Sequence, residues 1–330
     1  MKPPFRIRTD LQRVSVDGFS YPLGVEMAPS RPSREGYCMS WLEGEGDAPD
    51  TYTCLVVVSH ERVKPLLRAC FDLLPDQVAG IMEVGSRDAF RAVDVFLGSS
   101  TVCLDRFLNT WDRYEAIFLE DASLAVGVNT ESPFMEIFLD QDKRLTIHVE
   151  PESRDLIEAM LTRQGIEACD EEQLVVSESE LERTVVRPIL QDDPSLLCDV
   201  DQLIMTLRHD WELLLNEDPD QNLDASGRDL GRTLWHAIVL LEPRVGMARS
   251  SSHAMAWVIG SSRNEIETLL RTRLEEEPHW SFGEFYTLDR VALDDRPEAL
   301  VDLDPRHPVS EVLMFEVEAA DPGTGDHADG

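Results

Sequence analysis

Lysine is nearly absent from this chain. Only Lys2, Lys64 and Lys143 occur among its 330 residues, so arginine supplies almost all of the positive charge. The 30 Lys and Arg residues are outnumbered by 64 Asp and Glu residues, which gives a formal net charge of −34 at pH 7. A field of that sign repels phosphates and anionic lipids. The charge therefore argues against nucleic-acid and membrane partners and favours basic partners or cations, although solubility alone is an alternative explanation for it.

Apolar runs long enough for a membrane span, roughly 18 residues, are also missing. The first residues, Met-Lys-Pro-Pro-Phe-Arg, lack the apolar core of a signal peptide. The cysteines form no C-x-x-C pair, and they are Cys38, Cys54, Cys70, Cys103, Cys169 and Cys198. These absences predict a cytoplasmic protein with reduced thiols, and they argue against a disulfide framework or a zinc site.

Catalytic and cofactor signatures are the third absence. The chain contains no P-loop, G-x-G-x-x-G, H-E-x-x-H or G-x-S-x-G motif. His236 and His253 flank one loop beside Ser251 and Ser252, but a nucleophile and its base must meet in space, and neighbours in sequence usually point apart. The sequence therefore assigns no catalytic residue.

The composition is that of a folded protein, with 42% hydrophobic residues and a mean hydropathy of −0.24. A length of 330 residues exceeds the roughly 250–300 residues at which a single core stops growing, so two domains are expected. The proposed division is an N-terminal arm at 1–50, a first domain at 51–166, an acidic linker or edge at 167–183, a second domain at 184–319 and a disordered tail at 320–330.

The first domain follows the order strand, helix, strand, strand, helix, strand. A strand at 52–58 precedes a helix that Ser59 caps and Pro75 ends, and strands at 78–84 and 90–97 precede a helix at 104–119. This order predicts an α+β fold of the ferredoxin-like, or split βαβ, kind, with antiparallel sheet backed by helices. The second domain is expected to be a related α+β domain.

The second domain is organised around residues 254–289. An apolar strand at 254–259 meets Gly260-Ser-Ser262, and Ile266, Leu270 and Leu274 share one face of the helix that follows. A constant offset aligns this stretch with 52–86 and continues to residue 292, giving eight identities that include Pro75 with Pro278. The match suggests an internal duplication. A rival register pairs Gly98-Ser-Ser100 with Gly260-Ser-Ser262, and different strand orders in the two regions would contradict the duplication.

One candidate anion site lies at the strand-to-helix junction. The backbone N–H groups at a helix start, two hydroxyls and a guanidinium can bind an anion, although capping of the helix explains the serines equally well. The residues of this site are Gly260, Ser261, Ser262 and Arg263.

One candidate metal site lies in the acidic loop that follows the predicted helix at about 199–215. Its oxygen-bearing residues fall at the ligand spacing of an EF-hand loop and would bind calcium: Asp218, Asp220, Asn222, Asp224, Ser226 and Asp229. Leu223 stands where the turn glycine is expected, and Asp229 replaces the long glutamate. Aspartate-rich loops also arise by composition alone in so acidic a chain.

The functional expectation is a non-catalytic protein that acts through protein contacts in regulation or assembly. An acidic surface, open sheet edges and arms at both ends suit that role. The sequence is also compatible with oligomerisation. The alternative is an enzyme or small-ligand-binding protein whose site lies between the two domains.

Overall fold

The fold is described from a computed structural model, which defines residues 12–23, 25–26, 34–44, 49–174, 184–185, 200–244, 252–304 and 309–319. The chain divides into two compact units. The first consists of Met1–Gly85 and Val95–Asn216, and the second consists of Ser86–Asp94 and Glu217–Gly330. The second unit therefore includes a short segment that interrupts the sequence of the first.

The first unit contains thirteen described strands and five described helices. Its strands are β1 (Ser15–Val16), β2 (Phe19–Ser20), β3 (Val25–Glu26), β4 (Gly36–Leu42), β5 (Thr51–Val57), β6 (Gln77–Gly85), β7 (Val93–Gly98), β8 (Val102–Cys103), β9 (Leu124–Glu131), β10 (Phe134–Leu139), β11 (Leu145–Val149), β12 (Thr184–Val185) and β13 (Leu213–Leu215). Its helices are α1 (His60–Phe71), α2 (Leu104–Glu120), α3 (Arg154–Arg163), α4 (Glu171–Leu174) and α5 (Val200–Asp210).

A nine-stranded sheet dominates this unit. Its strand order is β13–β7–β6–β9–β10–β11–β5–β4, and β8 pairs with β6 outside that path. The pairs β4–β5, β5–β11, β11–β10, β10–β9 and β9–β6 are all antiparallel. Two small two-stranded sheets, β1–β2 and β3–β12, complete the strands.

Hydrophobic periodicity explains how the helices cover the sheet. In α1, Val63, Leu66, Leu67 and Cys70 are buried on one face, as their helical spacing predicts. In α2, Phe107 stacks on Trp211 with ring centroids 4.7 Å apart. A Cβ at Gly80 would lie 3.0 Å from the same indole, so glycine permits this close approach of sheet and tryptophan.

The second unit contains a four-stranded antiparallel sheet and one long helix. Its strands are β14 (Thr233–Pro243), β15 (Ser252–Gly260), β16 (Trp280–Val291) and β17 (Glu311–Ala319), and its helix is α6 (Arg263–Glu275). The strand order is β16–β14–β15–β17. Ile266, Leu270 and Leu274 of α6 pack on one face of this sheet, as their spacing predicts.

The predicted α+β class with antiparallel sheets is confirmed, but the ferredoxin-like strand order is not found. The two strands that flank α1, β5 and β6, are separated by β11, β10 and β9. A split βαβ unit occurs instead around α2, because β7 and β9 both neighbour β6. A second one occurs around α6, because β15 and β16 both pair with β14.

The strand order contradicts the duplication that aligns residues 254–289 with residues 52–86. One strand separates β15 from β16, whereas three separate β5 from β6. The rival register aligns α6 with α2, and those helices share the split βαβ arrangement. The position of the fourth strand nevertheless differs. β17 lies beside β15, the strand that precedes α6, whereas β10 lies beside β9, the strand that follows α2. The sequence similarity between the two regions is explained by the general requirements of a strand-helix-strand segment, without a duplication.

The compact units divide the sequence at other points than the predicted domain limits. The first unit extends to Asn216 because α5 and β13 pack with its core, whereas the predicted boundary lies within 167–183. The predicted arm at 1–50 contains β4, which is a full strand of the large sheet. Part of the predicted linker, 175–183, and the predicted tail at 320–330 lie outside the described residues.

No helix within the described ranges combines the length and the apolar character needed to cross a bilayer.

Candidate interaction site

The strand β4 forms one edge of the nine-stranded sheet. It pairs with β5 from Gly36 opposite Val57 to Leu42 opposite Thr51. The Tyr37 N–H donates to the carbonyl of Glu167 at 3.0 Å, and the Cys169 N–H donates to the carbonyl of Tyr37 at 2.8 Å. The backbone of Tyr37 therefore points away from β5, towards the free edge.

Strand geometry extends this observation to two further residues. Successive residues of an antiparallel strand turn their N–H and C=O groups alternately towards and away from the neighbour. Met39 and Trp41 consequently present their backbone groups on the same outer edge as Tyr37. In the described part of the chain, no hydrogen bond to those outward groups of Met39 or Trp41 is found.

The side chains at the end of β4 are apolar and exposed. Trp41 is 49% exposed and Leu42 is 53% exposed. Trp41 meets Tyr52 of β5 edge to face, with ring centroids 4.9 Å apart. The guanidinium of Arg154 lies 4.8 Å from the Tyr52 ring centroid and pairs with Glu158. These contacts fix the orientation of Trp41 while leaving half of its surface available.

The surroundings of the edge are acidic. β4 itself, Gly-Tyr-Cys-Met-Ser-Trp-Leu, carries no charged residue. The exposed residues Glu43 and Asp50 lie just beyond its end, and the Gly44 N–H donates to the Asp50 carboxylate at 2.9 Å. An uncharged, hydrogen-bonding edge bordered by carboxylates can accept an extended basic segment.

A row of polar side chains crosses the sheet face that is turned away from the helices. The Thr53 hydroxyl and His148 Nδ1 are 2.9 Å apart, but His148 Nε2 is 4.0 Å from the Glu136 carboxylate. Burial raises the pKa of Glu136, and His148 partly offsets that rise. A separation of 4.0 Å exceeds a hydrogen bond, so these residues do not form a continuous proton relay.

A partly buried ionic cluster lies at the start of α1. The Glu120 carboxylate accepts hydrogen bonds from Arg13 at 2.5 Å and from the Leu23 N–H at 2.8 Å, and it lies 3.0 Å from His60 Nε2. Burial favours the neutral form of Glu120, but hydrogen bonds from His60 and Arg13 outweigh it and lower its pKa to about 2. This carboxylate ties residues near β1 and β2 to the first unit's helices and is already fully engaged.

The predicted anion site at Gly260–Arg263 is occupied by the chain's own carboxylate. The Ser261 N–H and hydroxyl both donate to Glu265, at 2.7 and 2.6 Å. The Ser262 hydroxyl accepts a hydrogen bond from the Glu265 N–H at 3.2 Å, as a helix cap does. Burial acts to raise the pKa of Glu265, but the hydrogen bonds from Ser261 outweigh it, so the pKa lies below its usual value. Capping explains these residues, and the anion site receives no support.

The predicted calcium loop does not gather its oxygens around one point. Asn222 is buried, and its side chain bonds to Arg290, Gly231 and Thr233. Asp224 accepts hydrogen bonds from Ser226 and Arg228. The remaining ligands are also engaged locally: Asp218 with Asp220 and Gln221, Asp220 with Asn264, and Asp229 with Gly231.

Among the described residues, no three His, Cys, Asp or Glu side chains converge so that they could hold a metal ion. The calcium site at Asp218–Asp229 therefore stays a prediction from the spacing of the sequence alone.

The edge of β4 was missed by sequence reasoning because its residues were assigned to an arm. A usable signal existed, since Tyr37, Met39 and Trp41 alternate with smaller residues in a stretch without charge. β4 pairs with the next strand in the sequence, β5, but the position of β4 at the edge depends on the pairings of the other strands, which no local pattern specifies.

Comparison of the chain with protein-family models, with curated proteins and with solved structures finds no match.

Proposed function

We propose that the chain is a non-catalytic binding protein that accepts an extended, basic segment of another protein as an additional strand along β4. One observation carries the proposal. The edge strand β4 has outward backbone groups at Met39 and Trp41, no charged side chain, and two exposed apolar residues, Trp41 and Leu42. Strand addition uses these features, because backbone groups supply affinity and alternate side chains supply specificity.

Charge identifies the kind of occupant. A second copy of the chain would bring another net charge of −34 to the same edge, and like charges oppose association unless salt screens them. A basic segment gains from the same field. The acidic residues Glu43 and Asp50 beside β4 add a local preference for Lys or Arg on the partner.

The expected energies are modest and suit a reversible contact. Each new backbone hydrogen bond contributes about 0.5–1.5 kcal/mol. A half-exposed tryptophan that becomes covered acts as an anchor whose removal costs on the order of 2 kcal/mol. Trp41 is therefore the residue on which affinity should depend most.

The test uses three blocked peptides and isothermal titration calorimetry. The first peptide alternates lysine and valine over seven residues, the second replaces lysine by glutamate, and the third carries the first sequence with alternate backbone amides methylated. We expect the lysine peptide to bind and the other two to bind at least about tenfold more weakly, a difference of roughly 1.4 kcal/mol. The methylated peptide keeps the charge but lacks the backbone N–H groups that would pair with β4, so it distinguishes strand addition from electrostatic attraction alone.

Two matched variants locate the site. The Trp41→Lys substitution removes the anchor and adds a repelling charge, so it should weaken lysine-peptide binding at least about tenfold. The Leu214→Lys substitution places the same charge on β13, at the opposite edge of the sheet, where Leu214 is 55% exposed, and affinity should be unchanged. Equal binding to both variants, or equal binding of the methylated peptide, would contradict the proposal.

The alternative expected from the sequence, an enzyme or ligand-binding protein with a site between the domains, remains a prediction. Within each unit, the described residues offer no specific observation that favours it.

A further inference from the structure

A segment of the first unit already covers one residue of the β4 edge. Tyr37 forms a parallel bridge with Ala168, held by its hydrogen bonds to Glu167 and Cys169. A cysteine follows each of the two bridge partners in the sequence: Cys38 follows Tyr37, and Cys169 follows Ala168. Both cysteines are free and partly exposed.

Side-chain direction brings the two thiols to the same side of β4. Gly36 and Cys38 are two residues apart, so their Cα–Cβ bonds point to the same face of the strand. A Cβ at Gly36 would lie 2.5 Å from the Cys169 sulfur. The Cys169 thiol therefore lies on the face that also bears Cys38, in space that the absence of a side chain at Gly36 leaves open.

We propose that Cys38 and Cys169 form a reversible disulfide that fixes the segment Glu167–Cys169 on the edge of β4. Neighbouring strands lie about 4.8 Å apart, and a disulfide spans Cα atoms separated by roughly 4.4–6.8 Å. The bridge at Tyr37 and Ala168 holds the following residues within that range. Rotation about the Cα–Cβ bond of Cys169 moves its sulfur from Gly36 towards Cys38, so no backbone movement is required.

The oxidant is a low-molecular-weight disulfide. A thiolate of one cysteine attacks a sulfur of that compound, which forms a mixed disulfide and releases one small thiol. The second cysteine thiolate attacks the protein sulfur of the mixed disulfide, which forms the Cys38–Cys169 bond and releases the second small thiol. The protein loses two electrons and two protons, and the small disulfide gains both.

The local environment controls the rate. Burial raises the pKa of Cys38, and the nearby Glu171 raises it further. Burial also raises the pKa of Cys169, while Arg34 partly offsets that rise. The reactive thiolate is therefore scarce at neutral pH, and the reaction should accelerate as the pH rises. The neighbouring acidic residues favour a cationic oxidant over an anionic one.

The disulfide regulates the β4 edge, and this part rests on the proposed strand addition. A partner strand that pairs along the whole of β4 must displace Glu167 and Cys169 from Tyr37. A covalent bond prevents that displacement, whereas residues Met39–Leu42 stay accessible. Oxidation should therefore weaken the binding of a long strand and spare the binding of a short one.

The first experiment treats the full chain with cystamine and maps disulfides by mass spectrometry. We expect a Cys38–Cys169 crosslink that has lost two hydrogen atoms. We also expect a cysteamine adduct at the exposed Cys103, which confirms that the reagent acted. Cys38→Ser and Cys169→Ser should each abolish the crosslink, while Cys103→Ser should leave it intact. The crosslink should form faster at pH 9 than at pH 7, and faster with cystamine than with glutathione disulfide at low salt.

An adduct at Cys103 without a Cys38–Cys169 crosslink would overturn the disulfide. Calorimetry then tests regulation in the oxidised chain with two peptides: the long one is the seven-residue lysine peptide, which can span the whole of β4, and the short one is a shortened version that spans only Met39–Leu42. If the crosslink forms and the long peptide binds oxidised and reduced chains equally, the regulatory role is overturned while the disulfide stands. If neither peptide binds the reduced chain, the proposed function itself fails.

Discussion

The two units protect the edges of their sheets in different ways. In the second unit, the edge strand β17 carries Glu311, Glu316 and Glu318. Charged residues on an edge strand discourage pairing with another chain. In the first unit, the edge strand β4 carries no charge and exposes Trp41 and Leu42.

The other edge strand of the second unit, β16, is covered by its own chain at Arg290. The Arg290 N–H of β16 donates to the Asp88 carboxylate at 2.9 Å, and the Ala89 N–H donates to the Arg290 carbonyl at 2.9 Å. The Arg290 guanidinium also donates to Asp88 at 2.7 Å and to Asn222 at 2.9 Å. Each unit therefore has an edge strand that its own chain covers at one residue, Arg290 in β16 and Tyr37 in β4. What distinguishes β4 from β17 is the lack of charge together with the exposed Trp41 and Leu42.

The largest effect on stability should come from removing the contact between Arg290 of β16 and Asp88. Arg290 is 3% exposed and the Asp88 side chain is fully buried, so Arg290→Ala leaves a buried carboxylate without its partner. We expect a loss of about 3–5 kcal/mol in the free energy of unfolding. Urea denaturation followed by circular dichroism measures it.

Arg228→Ala is the matched control within the same unit. Arg228 pairs with Asp224, but its side chain is 75% exposed, so the loss should be within about 0.5 kcal/mol. If the two arginine variants were equally stable, Arg290 would not hold the segment Ser86–Asp94 against β16.

Asp289 of β16, the residue before Arg290, should give the stability of the second unit a distinctive pH dependence. Burial, together with the negative charges of Asp94 and Asp88, raises the pKa of Asp289 to about 6, against the opposing effect of Arg91 and Arg87. The unfolded chain releases this proton near pH 3.9. Stability should therefore fall as the pH rises from about 4 to about 6, because the folded state holds the proton longer. Asp289→Asn should stabilise the chain at pH 7 by on the order of 2 kcal/mol.

Glu120 in the first unit should respond with the opposite sign. Its folded pKa of about 2 lies below the unfolded value of about 4.3. Its stabilising contribution is present above pH 4.3 and is lost as the pH falls towards 2. Glu120→Gln should therefore destabilise the chain at pH 7 by on the order of 2 kcal/mol. Denaturation curves of both variants from pH 3 to 7 check the two slopes, and slopes of the same sign would contradict this assignment.

Local patterns predicted the α+β class and several elements well. The apolar faces of α1 and α6 and the cap at Ser262 follow from spacing within a few residues. Strand order did not follow, because it depends on pairings between distant segments, such as β5 with β11. The same limit explains the misplaced unit boundary, since the 86–94 segment joins the second unit through Asp88.

The candidate site was predicted only in its general chemistry. The acidic composition and the expectation of open sheet edges led to the prediction of a basic protein partner, which remains a proposal. The sequence did not identify β4, because Pro-rich neighbours made residues 1–50 resemble an arm. The residues that it did single out, at Gly260–Arg263 and in the Asp218–Asp229 loop, instead bond to their own chain neighbours.

Hydrogen exchange at single-residue resolution tests the central claim most directly. The amide protons of Met39 and Trp41 should exchange rapidly in the free protein, because strand geometry leaves them on the outer edge. The lysine peptide should slow both of them while leaving the amides of β17 unchanged. Slow exchange at Met39 and Trp41 without peptide, or new protection on β17 rather than β4, would contradict the account.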